Sequence, residues 1–136
     1  EDSSSATPES VRSGIDTLCS IAGLHDGSRT VAVLGDLRSF GQEMRELHEA
    51  MGAYVVGKKI DKLFTFGVAA EQIGVGARRA GMPADDVCGN LEIFSPLKTA
   101  EAVAKELRAG DVLLVRIGRP NAAAEIIRCL RAHLEK

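Results

Sequence analysis

Apolar residues along this chain gather in two rhythms. Residues 30–34, TVAVL, form an unbroken β-branched run that stops at Gly35-Asp36. KLFTFG (62–67) and DVLLVRIG (111–118) repeat the form, each ending in glycine. Runs without polar alternation predict strands covered on both faces, so residues 30–34, 62–66 and 111–115 are expected as neighbouring central strands. Between the runs, apolar residues return at helical spacing. Val11, Ile15, Leu18, Cys19 and Ala22 mark a first helix, with Thr7 as its cap, Pro8 at its first position and Gly23 closing it. Met44, Leu47, His48, Met51, Val55 and Val56 mark the inner face of a second, from about Gly41 to Lys58. His48 on that face is expected to be packed and hydrogen-bonded.

The second half continues the alternation. VAAEQIGVGARRAG (68–81) predicts a helix weakened by Gly74 and Gly76, and ADDVCGN a short strand around Val87 that LEIFS extends or redirects. A helix from Pro96 to Leu107, ended by Gly110, precedes the third apolar run, and NAAAEIIRCLRAHL (121–134) supplies the last helix. Strands alternating with helices of this length imply βαβ units: an α/β domain with a mostly parallel sheet, right-handed crossovers and helices on both faces.

Composition narrows the function. The chain has 136 residues, enough for one domain with a core, of which 45% are hydrophobic and 26% charged. A net charge of -2 with scattered basic residues leaves no footprint for nucleic acid. No apolar run approaches the roughly 20 residues that a membrane span needs, and no signal peptide opens the chain. Three widely spaced cysteines, Cys19, Cys88 and Cys129, fit neither a disulfide framework nor a zinc site, which favours a reducing, cytoplasmic setting. The chain begins with Glu1 rather than Met and reads as a fragment of something longer.

Open α/β sheets bind ligands outside the carboxyl ends of their strands. Parallel strands would bring Gly35, Gly67 and Gly118 to that edge with Asp36, Arg116 and Arg119 around them. There Asp36 either caps the next helix or serves the ligand, and the two arginines suit a phosphate or carboxylate. No G-x-G-x-x-G fingerprint, phosphate loop, nucleophile elbow or metal-spaced histidine set accompanies them. On its own features the chain is an α/β domain with a ligand-side edge and no complete catalytic apparatus.

Five stretches carry a resemblance. AVLGD followed by Gly41, ELHEAMG (46–52), DKLFTFG (61–67) and GDVLLVRIGR (110–119), with DSSSATPESVRSGIDTL at the start, resemble in order the C-terminal domain of the Mur ligases. The resemblance implies a Rossmann-like three-layer domain over residues 8–136, with residues 1–7 the remnant of a linker from a preceding domain. It further implies a parent with a UDP-sugar-binding domain and an ATP-binding domain, which adds D-alanyl-D-alanine to a UDP-muramoyl-tripeptide in peptidoglycan precursor synthesis. ATP and Mg2+ would be bound mainly outside this chain, and an amine would attack an acyl phosphate under cover of this domain. Asp2 would contact the nucleotide, and Asp36, Arg116 and Arg119 the small-molecule substrate; no membrane or nucleic acid takes part. The family's tyrosine and asparagines in the opening stretch stand here as Ser4, Ser5 and Thr7, and its KGS as Arg116-Ile117-Gly118, where Ile117 is expected to obstruct a ligand. The alternative implied by these departures is a relative that keeps the fold but serves as a non-catalytic binding or interaction module.

Overall fold

A computed structural model describes residues 7–24, 28–38, 43–89, 96–118 and 120–134. Asp2, Arg119 and the LEIFS stretch therefore lie outside the described residues. The helix α1 (Pro8–Ala22) starts where Thr7 accepts the Ser10 N–H through its hydroxyl, at 3.2 Å, with Pro8 in the first turn. β1 (Thr30–Gly35), α2 (Met44–Gly57), β2 (Lys62–Phe66), α3 (Glu71–Arg79), β3 (Val87–Cys88), α4 (Pro96–Glu106), β4 (Val112–Arg116) and α5 (Pro120–Leu134) follow. The predicted alternation of helix and strand is the observed one.

The four described strands form one sheet in the order β3-β2-β1-β4, every pair parallel. Side chains alternate across it, so neighbours along a strand serve different cores. Ala32, Leu34 and Leu63 face α1, α2 and α3, where Val11, Ile15, Met51, Val55, Ile73 and Ala77 meet them. Val31, Val33, Phe64 and Phe66 face α4 and α5, packing on Ala100, Val103, Ala123 and Ile126. All six residues of β1 are buried, as an unbroken apolar run requires. β4 departs from the expectation of a third central strand. Among the described residues it pairs with β1 alone, and four of its five residues are only partly buried.

The two helices α2 and α3 touch backbone to backbone. A methyl on Gly52 would overlap the Ile73 carbonyl and the Ala77 amide, and one on Gly76 would overlap the backbone of Glu49. The glycines read in the sequence as weak points of a helix are the contact that lets two helices approach.

Polar groups at the amino ends of the strands are mutually satisfied. The Thr30 N–H donates to Asp61 Oδ2 at 2.8 Å while the Asp61 N–H donates to the Thr30 backbone carbonyl and hydroxyl, locking β1 to β2. Lys62 bridges to Glu106 at 3.1 Å and Asp86 at 3.6 Å. Arg29 grips Asp111 with two N–H groups, Nε to Oδ1 at 3.1 Å and Nη2 to Oδ2 at 2.8 Å. The Arg29 guanidinium holds the Asp111 carboxyl below its ordinary range against the opposing push of burial, and the Arg108 backbone N–H assists.

A depressed folded-state value makes that pair a source of stability above the ordinary carboxylate pKa, lost as pH falls through the folded value. Asp111→Asn is expected to cost about 2 kcal/mol near neutrality, the scale of hydrogen bonds to a charged group. Urea midpoints for the two proteins should converge as the pH is taken down through the depressed folded value of Asp111. An equal gap at both pH values would show that the charge of Asp111 contributes nothing.

Candidate functional site

At the opposite edge, the carboxyl ends of β1, β2 and β4 surround a cleft of ≈ 270 Å³. Asp36, Leu37 and Arg38 form one wall, Phe66 and Gly67 a second, and Ile117 and Gly118 the third. This is the edge at which open parallel sheets bind ligands, because connections there diverge and leave backbone groups exposed. Met44 at the start of α2 and Val68 just past the end of β2 are exposed apolar residues.

Asp36 is not the cap of the next helix. Glu43 caps α2, accepting the Glu46 N–H at 3.0 Å. The Asp36 carboxylate reaches across to the turn ahead of α3, where Oδ1 accepts the Ala70 N–H at 2.8 Å. It lies directly over Gly67, whose φ of +132° suits glycine and whose missing side chain leaves room for the carboxylate. Asp36 thus joins the end of β1 to the segment after β2. Asp36→Ala should lower stability by about 1 kcal/mol, as loss of a cap does, while Asp36→Asn, which keeps the acceptor, should stay within a few tenths. Thermal unfolding of the two variants checks this; equal losses would assign the effect to the charge instead.

Residue Leu37 is tied from the other side. Its N–H donates to His48 Nε2 at 2.9 Å, and His48 Nδ1 bonds the Met44 carbonyl at 2.7 Å. His48 is fully buried, packed and hydrogen-bonded as its position on the inner helical face predicts.

Arg116 is not among the residues that line the cleft. Arg116 stands opposite Leu34 in the β1–β4 register and so projects to the α1 side of the sheet. Its Nε would lie 3.4 Å from a methyl on Gly14 of α1, and it is buried with no hydrogen-bond partner among the described residues. Side chains alternate along the strand, and Ile117, one residue on, lines the cleft instead. Ile117 also forms part of the core. It is buried against Gly35 and within the α4–α5 core beside Ala123 and Ile126.

Three cleft features escape a reading of the sequence. Arg38 lines the lip, Phe66 supplies an apolar wall, and the Asp36–Gly67 contact spans 31 residues. Only the glycine that ends β2 signals the last of these. Burial pushes the Cys19 and Cys88 thiols up, away from the reactive thiolate form. No group of three or more His, Cys, Asp or Glu among the described residues could hold a metal, and no described helix is long and apolar enough to cross a membrane.

Comparison with known proteins places this geometry. Residues 2–116 match the family Mur ligase, glutamate ligase domain. The UDP-N-acetylmuramoyl-tripeptide--D-alanyl-D-alanine ligase of Mycobacterium leprae (strain TN) is 29% identical over 125 residues, 85% of this chain and 24% of that protein. Its counterpart from Bacillus subtilis (strain 168) is 29% identical over 129 residues, 95% of this chain and 27% of the other. The chain therefore spans about a quarter of the length of these relatives. The crystal structure of MurF ligase from Thermotoga maritima in complex with ADP shares the fold, with a TM-score of 0.69 at 22% identity over 96% of this chain and 27% of that one.

Proposed function

The chain belongs to the Mur ligase family as its glutamate ligase domain, and we propose that it is the C-terminal, closing domain of an ATP-dependent amide ligase. The reaction we assign to the longer protein is addition of D-alanyl-D-alanine to a UDP-muramoyl-tripeptide, a cytoplasmic step of peptidoglycan precursor synthesis. One observation carries this: the two ligases named for that reaction match the chain across 85% and 95% of its length.

The geometry supports a supporting rather than a self-sufficient role. No group of three or more His, Cys, Asp or Glu among the described residues is placed to hold a metal, and the sequence carries no G-x-x-x-x-G-K-[ST] phosphate loop. We assign ATP and Mg2+ to a preceding domain. That neighbour from Thermotoga maritima holds ADP, which agrees with nucleotide use by the longer protein. Residues 1–7 serve as the link to the preceding domain, with Asp2 at the nucleotide.

The cleft offers what a closing domain needs. Phe66, Leu37 and Ile117 give it apolar walls that exclude water, and Arg38 sets a cation at its lip to receive the carboxylate of an incoming amino-acid derivative. Asp36 holds the wall, and Arg116 lies on the α1 flank of the same edge, with Arg119 two residues past its neighbour Ile117. We assign the exposed apolar side chains of Met44 and Val68 to contact with the preceding domain on closure.

The test is coupled turnover. The longer protein, given the UDP-muramoyl-tripeptide, ATP and D-alanyl-D-alanine, should release one phosphate per amide formed, whereas the 136-residue chain alone should turn over no ATP. Amide formation with a different amine in preference to the dipeptide would overturn the substrate assignment. ATP turnover by the isolated chain would overturn the division of labour.

A further inference from the structure

We propose that His48 is a positioning residue, held in a single neutral tautomer, that fixes the Asp36–Arg38 wall of the cleft. The tautomer follows from its partners. The Met44 carbonyl can only accept, so Nδ1 carries the hydrogen; the Leu37 N–H can only donate, so Nε2 is bare. His48 is 0% exposed and Leu37 3%, which leaves no water to replace either partner.

The choice of histidine needs this explanation. On the inner face of α2 its neighbours are Leu47, Met51 and Val55, and an apolar side chain of similar size would pack there equally well. Burying a polar ring is unfavourable unless both nitrogens are bonded. Nδ1 bonds to its own helix, one turn back, where the carbonyl already has a helical partner available. The bond an apolar residue cannot supply is the one to Leu37. Its effect is felt at the cleft, because Asp36 and Arg38 on either side of Leu37 both line it. With Asp36 bound to the Ala70 N–H, consecutive residues of the wall are tied to two different helical segments. The wall cannot shift toward one without breaking from the other.

The functional consequence rests on reading the cleft as the dipeptide site, so the experiment separates the two. Nitrogen-15 NMR of the 136-residue chain should show His48 protonated at Nδ1 and bare at Nε2. His48→Leu should speed hydrogen exchange of the Leu37 amide by at least about tenfold relative to the Val33 and Phe64 amides, the scale expected when a buried donor loses its acceptor. His48→Gln, whose amide both donates and accepts, should restore most of that protection. In the longer protein His48→Leu should raise KM for the dipeptide about tenfold, equivalent to one lost hydrogen bond. KM for ATP should stay within about twofold, and His48→Gln should recover the dipeptide KM. Protonation at Nε2, or exchange at Leu37 that moves no more than at Val33, overturns the positioning role. Should His48→Leu fail to fold, the tautomer and the His48→Gln exchange data decide alone. Local loosening of Leu37 with an unchanged dipeptide KM would uphold the tether and overturn the cleft as the dipeptide site.

Discussion

Gly52→Ala should destabilise the domain by about 3 kcal/mol, the upper range for an overpacked core site. Intrinsic helix propensity points the other way, since alanine in a helix is worth about 1 kcal/mol over glycine. Sterics decide the sign here. The new methyl would overlap backbone atoms of Ile73, Gly76 and Ala77, and a backbone cannot rotate away as a flexible side chain can. The helices α2 and α3 would have to separate, opening the contacts of Met51 and Val55 with Ile73 and Ala77. Gly76→Ala, facing the Glu49 backbone, should behave alike. Gly57 at the end of α2 is the internal control, with open space where its methyl would go, and Gly57→Ala should be neutral to slightly stabilising. Chemical denaturation of the three variants measures all of this. A stabilised Gly52→Ala would mean that the two helices are not in backbone contact.

Phe64→Ala should cost about 4 kcal/mol, within the range for deleting a buried aromatic ring. Phe64 is the largest fully buried side chain among the described residues, and its strand is paired on both sides, at Val33 of β1 and Cys88 of β3. With two neighbouring strands fixed by backbone bonds, the cavity has little freedom to collapse, which keeps the cost high. Leu113→Ala on β4 removes a side chain that is only partly buried and should cost about half as much. Equal losses at the two positions would place β4 in the interior of the sheet, as the apolar run at 111–115 suggests by itself.

How much of this was legible follows from the range of each interaction. β1 and β2 were readable because burial on both faces removes polar alternation, and α1 because Thr7-Pro8 acts within one turn. β4 reads as apolar as β1, yet the number of strands flanking it is a property of the sheet and leaves no mark in its own residues. Gly74 and Gly76 were visible as glycines, but the partner that gives Gly76 its purpose, the Glu49 backbone, lies in another helix. In the cleft, the edge and Asp36 were predictable from parallel strands ending in glycine. That Ile117 rather than Arg116 lines the cleft depended on counting alternate residues along β4, and the tie between Asp36 and Ala70 depended on a turn 34 residues away.

The two clasps at the amino ends of the sheet imply an order of assembly. Thr30 and Asp61, which join β1 to β2, are 31 residues apart, whereas Arg29 and Asp111, which join β1 to β4, are 82 apart. Loop closure over the longer span carries about 0.9 kcal/mol more entropic cost, and its far partner leaves the ribosome some fifty residues later. On that count the β1–α2–β2 unit is expected to close first and β4 to dock last, against a β1 already held from the other side. Folding in that sequence completes the wall formed by Asp36, Leu37 and Gly67 before Ile117 and Gly118 arrive, so the cleft is finished by the last strand to join.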